Sequence, residues 1–507
     1  MTASEGSVLG NTRVKATCLV VALLVVGLAI RLYDLTDLPL DFHPTRQLLS
    51  QLKARGMFYQ AHPELPEWNR KMAIQQWKIS AQVEPEVFER LVAYTYEFTG
   101  VDTSVARVYA SIFWVTAGIF LFLLVKDYQA FDAAAVALAY FLFYPYAILA
   151  SRSFQPDGLM VLLVIAFWWS YARWTRTESW AWAVLAGALG GLAIYVKFVA
   201  AFFVVGSALG LGLGTFGTRL LRKGQLWLLA LLGALPAAAY LYYGLVQSGF
   251  LGRQFSGRFI PGLLLEPGNY LRWAANANLA AGGVAIGLGL LGLLFVRAGA
   301  WRSLLVGVWA AYIAYGIFFD YHIATHDYYH LPLVGLVALS LAPPVAWCMA
   351  QLARSASNPL PRLGVLAVFL YCIFSGLWEA RTQLSAIDYR PQASMWSEIG
   401  EKLSHGPNVV ALSEDYGSRL AYWGWQNSIA WPSSGDITYA EARGGSMDFD
   451  KVFDRITLGN SYFLVTDFAE LARQPLLVER LRSCAVFAEG DGYVIYSLEQ
   501  PVDHDAG

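Results

Sequence analysis

Eleven apolar runs follow one another along the first three quarters of the chain, at roughly 16–33, 105–125, 132–150, 158–174, 180–197, 199–216, 226–246, 277–296, 303–319, 331–350 and 363–379. Each is close to the ~20 residues that a helix, rising 1.5 Å per residue, needs to cross ~30 Å of hydrocarbon. A chain of 507 residues has room for three or four soluble domains, but only 14% of it is charged and 57% is hydrophobic. Soluble proteins carry about 25% charged residues. These runs therefore predict a polytopic α-helical membrane protein with about eleven transmembrane helices. The 18 Trp and 28 Tyr suit aromatic belts at both interfaces. A net charge of −1 excludes a basic nucleic-acid binder. The four cysteines form no CxxC and no even cluster, which argues against a disulfide framework or a zinc ribbon.

Basic residues orient the spans. The first run follows Arg13 and Lys15, as a signal peptide would, but ends at Arg31-Leu32-Tyr33-Asp34 without a small-residue cleavage site, so it reads as a retained helix. With a cytoplasmic N-terminus, the inner flanks hold Arg13, Lys15, Lys126, Arg173, Arg176, Arg219, Arg222, Lys223, Arg297, Arg302, Arg354 and Arg362. The outer flanks keep Arg152, Lys197, Arg253, Arg258 and Arg272, so the positive-inside rule holds. An odd number of helices puts the C-terminus outside. The expected setting is the plasma (inner) membrane, multi-pass.

Two segments leave the hydrocarbon, both outward. A transmembrane domain over 1–379 includes a large first outer loop, 34–104, where Leu48, Leu49, Leu52, Met57 and Phe58, then Val87, Phe88, Leu91, Tyr94 and Phe98, recur at helical spacing. These read as amphipathic helices on the interface. Over 380–507 charge returns, and short apolar runs at 409–412 and 462–465, a hairpin around Gly490-Asp491-Gly492 and a helix at 396–403 predict a small extracytoplasmic α/β domain.

Polar chemistry gathers at the outer helix ends. Asp41, just after the first helix, is placed to act as a general base on an incoming hydroxyl, or else to cap the helix begun by Pro44. Glu84 and Asp157 are secondary acidic candidates, and Asp157 too stands where a cap would. Lys197, in a tight turn between two apolar helices, and Arg253, Arg258 and Arg272 in and after the next outer loop, point to an anionic ligand such as a lipid phosphate. The competing reading of Lys197 is snorkelling. His322, His326 and His330 share a helical face, which suits either a metal site or an interfacial turn. A divalent metal is permitted but not required. Gly206, Gly210 and Gly214 read as helix packing, and the Asp448-Phe449-Asp450 triplet carries no weight.

With these residues in place, the chain resembles the GT-C superfamily of integral-membrane glycosyltransferases, near the bacterial protein O-mannosyltransferase and aminoarabinose-transferase-like group. The likeness rests on Asp41 early in the first outer loop, Glu84-Pro85, Arg107, the Arg-x-x-x-Pro-Asp pattern from Arg152 to Asp157, and His326-Asp327-Tyr328-Tyr329-His330-Leu331-Pro332 opening a late helix. Many relatives have Asp-Glu in the first loop, whereas here Phe42 and His43 follow Asp41. The resemblance implies a sugar donor on a polyprenyl phosphate, an acceptor protein, lipid or glycan, and transfer with inversion. Asp41 would be the base, Lys197 with Arg253, Arg258 or Arg272 would stabilise the departing phosphate, and His326 and Tyr328 would line the donor pocket. An outward site agrees independently, since nucleotide sugars are cytosolic. Rival readings are a lipid-linked glycan ligase or polymerase, and a transporter. The transporter reading suffers because the spans are nearly charge-free through their middles.

Overall fold

The computed structural model describes residue 9 and residues 13–82, 84–255, 259–354, 360–406, 408–445 and 448–501. It forms two compact units. The first comprises Met1–Thr36, Gln82–Phe88 and Ser104–Ile387, and the second Asp37–Ala81, Glu89–Thr103 and Asp388–Gly507. The first outer segment thus belongs mostly with the C-terminal region and not with the helical bundle, so the units cut across a division at residue 379.

The first unit is helical. Among the described residues, eight helices are long and apolar enough to cross a membrane: Arg13–Arg31, Ser104–Tyr128, Pro156–Thr177, Ala200–Arg222, Gly224–Gln247, Ala300–Phe318, Asp327–Arg354 and Leu360–Leu384. A ninth span results if Pro267–Ala281 and Gly283–Phe295, bent by 89°, count as one. Gly282, at φ 74°, makes that bend. Two expected spans are shorter: Phe131–Phe143 stops where Tyr144 turns extended ahead of Pro145, and Trp180–Val196 stops where Lys197 does. The expected eleven are therefore eight or nine by length and composition.

Helices approach closely where side chains are small. A Cβ on Gly191 would strike the Leu232 carbonyl, and one on Gly206 or Gly210 would strike the backbone of Gly307 or Ser303. The glycine series is helix packing, as its spacing suggested. Trp114 lies flat on Phe141, ring centroids 4.5 Å apart, and donates its indole N–H to the Phe141 carbonyl. Pro156–Thr177 is the most enclosed span, 78% buried against 11% for Arg13–Arg31 and Leu360–Leu384. Polar groups at its start are thereby shielded from water.

The second unit is built on a five-stranded mixed sheet, ordered β2-β1-β3-β5-β4. Its strands are β1 (Val409–Leu412), β2 (Ile429–Ala430), β3 (Tyr462–Val465), β4 (Cys484–Gly490) and β5 (Tyr493–Pro501). β1 pairs parallel with β2 and β3, while β5 is antiparallel to β3 and β4. Alternation on β1 serves two cores: Val409 and Ala411 join Trp396, Ile399 and Leu464, and Val410 and Leu412 join Trp431, Phe453 and Phe463. The β4–β5 turn carries Gly492 at φ 82°.

The first-loop helix Pro44–Ala61 was expected at the membrane interface, yet it buries Gln47, Gln51, Lys53 and Arg55 alongside Leu48 and Leu52. Leu48 and Leu52 pack with Leu40 and Tyr422. Arg55 donates to the carbonyls of Ala421 and Tyr422 and to Gln76, with its guanidinium 3.9 Å from the Trp425 ring centroid. Burial lowers its pKa to about 10. The helix Val87–Thr99 does keep an apolar exposed face, at Tyr94 and Phe98.

Candidate functional site

Within the first unit, the sequence-selected polar residues meet around Lys197. This residue ends the helix Trp180–Val196 in extended conformation, so its side chain leaves the helix axis. Its ammonium lies 2.8 Å from both carboxylate oxygens of Asp157. Asp157 sits in the first turn of Pro156–Thr177, where exposed N–H groups and the helix dipole favour a negative charge. Lys197 is 4% exposed and Asp157 2%, so Lys197 is a buried ion-pair partner and does not snorkel. Asp157, a secondary candidate from sequence, is its counter-ion.

Aromatic rings close the pair off. The ammonium is 5.2 Å from the centroid of Tyr328 and 5.1 Å from that of Tyr329, a cation–π arrangement that favours a desolvated positive charge. Tyr329 stacks on Tyr315 at 6.1 Å. His326 stands edge-on to Tyr328 at 5.6 Å and stacks on His322 at 5.5 Å. Lys197, Asp157, Tyr328, Tyr329 and His326 are thus neighbours in the first unit.

His330 behaves differently. Its Nδ1 meets the Tyr312 hydroxyl at 2.7 Å and its Nε2 the Ile323 carbonyl at 2.9 Å, so both ring nitrogens are committed. The carbonyl only accepts, which puts the proton on Nε2 and leaves Nδ1 to accept from Tyr312. A neutral histidine so held is a structural pin. Among the described residues, no group of three or more His, Cys, Asp or Glu side chains is arranged to hold a metal ion, and the three-histidine face does not make one.

Of the other basic candidates, Arg272 can be placed, and it stands apart from this cluster. Arg272 is exposed on Pro267–Ala281, where it reaches Asn269 of its own helix at 3.5 Å. Arg253 falls on the short helix Phe250–Phe255, and Arg258 lies outside the described residues. Glu84 is half-buried in the segment Gln82–Phe88. Asp41 belongs to the second unit, two residues before the left-handed His43. The cap position of Pro44–Ala61 is His43, at φ 45°, and not Asp41. Burial first, and then the Asp41 charge, push the Tyr389 hydroxyl pKa up.

Sequence reasoning overlooked Arg31, although a charge closing an apolar run was its signal. It is fully buried, and it donates to the Ser151 hydroxyl at 2.6 Å and the Gly27 carbonyl at 2.7 Å. Arg152 donates to the Asp34 carbonyl and Arg107 to that of Leu35. Three buried arginines thus tie the end of the first helix and the following turn to neighbouring spans.

Residues 84–243 match a family described as dolichyl-phosphate-mannose-protein mannosyltransferase. No curated protein sequence matches the chain closely enough to count as a relative. Solved structures share the fold. ArnT from Cupriavidus metallidurans bound to undecaprenyl phosphate is 17% identical, with a TM-score of 0.58 over 96% of this chain and 98% of that one. Its apo state gives 0.59 at 16% identity, over 95% and 98%. The archaeal oligosaccharyltransferase AglB from Archaeoglobus fulgidus, in complex with an inhibitory peptide and a dolichol-phosphate, gives 0.55 at 14% identity, over 96% of this chain and 75% of that one.

Proposed function

We infer, for a chain with the fold of the GT-C superfamily of membrane glycosyltransferases, that it moves a sugar from a polyprenyl-phosphate donor to an acceptor hydroxyl at the outer face of the membrane. The observation that carries this reading is the shielded Lys197–Asp157 pair under Tyr328 and Tyr329. An ammonium has three donors and Asp157 takes two, so the third is available to a phosphate oxygen. Asp157 also keeps the Lys197 ammonium aimed when no ligand is bound. The fold relatives supply support of the same kind, since one was solved with undecaprenyl phosphate and another with a dolichol-phosphate.

In the proposed reaction Asp41 accepts the acceptor hydroxyl's proton as that oxygen attacks the anomeric carbon. The bond from that carbon to the phosphate oxygen breaks, its electron pair leaves with the polyprenyl phosphate, and the sugar inverts. Lys197 steadies the charge developing on the phosphate, a contribution made mainly in the transition state. His326 and Tyr328 bound the donor site. Arg253, Arg258 and Arg272 are accessory cations for the approaching lipid headgroup. The outward assignment rests on the asymmetry of basic residues between loops.

The likeness to AglB keeps a second reading alive, in which the donor carries an assembled glycan. Mass spectrometry of glycans and glycoproteins from a deletion strain tests both. Loss of one defined sugar supports single-sugar transfer, and loss of a whole glycan supports the ligase reading. An unchanged profile defeats both and favours a transporter.

A further inference from the structure

The segment linking the third apolar region to Pro156–Thr177 is polar and yet buried: Ser151, Arg152, Ser153, Gln155 and Asp157 are each no more than 5% exposed. Most of these groups are committed to protein. Ser151 receives Arg31 and donates to the Ile148 carbonyl, Ser153 donates to Ala150, Arg152 donates to Asp34, and Asp157 holds Lys197. Gln155 differs from these in making no such side-chain bond. It is 1% exposed, and among the described residues neither its Nε2 nor its Oε1 has a hydrogen-bond partner. Its backbone N–H is satisfied by the Ser153 carbonyl at 2.8 Å, so only the carboxamide is orphaned. Native proteins keep few such groups, because a buried unpaired donor and acceptor each carry a desolvation penalty.

We propose that Gln155 reads the sugar of the donor, its carboxamide receiving two neighbouring hydroxyls, one accepting from Nε2 and the other donating to Oε1. This rests on the glycosyltransferase reading above. Gln155 is the cap residue of the helix whose first turn carries Asp157, so it stands at the same helix end as the Lys197 counter-ion. A polyprenyl-phosphate sugar has three chemical parts. The tail offers no hydrogen bonds. The phosphate only accepts, so it would satisfy Nε2 while facing Oε1 with like charge. A pair of adjacent hydroxyls both donates and accepts, and alone matches both ends of a neutral amide.

The test uses the full chain in detergent with undecaprenyl phosphate alone and with the same lipid bearing mannose, glucose or an aminopentose. Gln155→Leu removes the amide at similar size, and Gln155→Met preserves its length. Both variants are expected to melt at or above the wild-type temperature, since an unpaired polar group is lost. They should bind undecaprenyl phosphate as wild type does, and bind the preferred sugar-bearing lipid roughly tenfold more weakly, with a matching loss in kcat/KM. If both variants bind that lipid as wild type does, the amide holds only water and the proposal is overturned. If both melt well below wild type, the amide is structural and the proposal is likewise overturned. A wild-type chain that binds none of these lipids defeats the glycosyltransferase reading itself, a result distinct from the other two.

Discussion

Lys197 and Asp157 stabilise the fold only as a pair. Removing either leaves a buried charge without its partner, at a cost of roughly 3–5 kcal/mol. Lys197→Met and Asp157→Asn should each lower the unfolding temperature sharply, and the double variant Lys197→Met/Asp157→Leu should recover most of the loss. Transfer activity should not recover with it, and thermal melts run beside a transfer assay separate the two effects. Asp41→Asn makes the opposite prediction: unfolding close to wild type, with transfer reduced about 10²–10⁴-fold. Full activity in a folded Asp41→Asn protein would remove the base assignment. His62 supplies a pH test. Its pKa is raised above 6.5 by the bond to the Phe58 carbonyl and then by Glu97 at 3.0 Å. A raised folded pKa gives stability that is fully present below pH 6.5 and is lost as pH rises through the folded value. The difference in melting temperature between wild type and His62→Gln should therefore shrink as pH rises above 6.5 through the raised folded value. Lys197, Tyr328 and His326 were legible in the sequence because a charge in a short apolar turn, or a polar run opening a span, is conspicuous. Gln155 and Arg31 were not, since the meaning of a lone polar residue depends on partners distant in sequence.

At the level of elements, hydrophobic run length and alternation found most of the structure. β1 and β3 fall where four-residue apolar runs predicted them, and the Gly490-Asp491-Gly492 hairpin lies between β4 and β5. Burial on both faces explains why the runs are continuous and not alternating. The helix Pro44–Ala61 misled because its leucines recur at the spacing of an interfacial helix. Only the tertiary fold reveals that Gln51 and Arg55, beside those leucines on the same face, have partners too. Close helix approach gives a further prediction. Gly191→Ala puts a methyl into the Leu232 carbonyl, so Trp180–Val196 and Gly224–Tyr242 must separate. The expected cost is about 1–3 kcal/mol, measured as a lower melting temperature. Gly224→Ala, whose nearest neighbour is 3.9 Å away, should be nearly silent.

For the whole molecule, composition and run length established a multi-pass helical bundle, and charge asymmetry proposed its orientation. A cysteine at Asp491, exposed in the β4–β5 turn, tests the orientation. In a background free of the four native cysteines it should react with a membrane-impermeant thiol reagent in intact cells. Protection until the cells are opened would reverse the topology. What sequence could not show was the grouping of residues 37–81 with 388–501, because long-range association leaves no periodic mark. The buried Arg31 has a temporal consequence of the same kind. Its Ser151 partner is 120 residues downstream, and at roughly 5–20 residues per second it emerges about 6–24 s later. During that interval the guanidinium stays hydrated among the lipid headgroups, so the first helix is inserted early and locked into the bundle late.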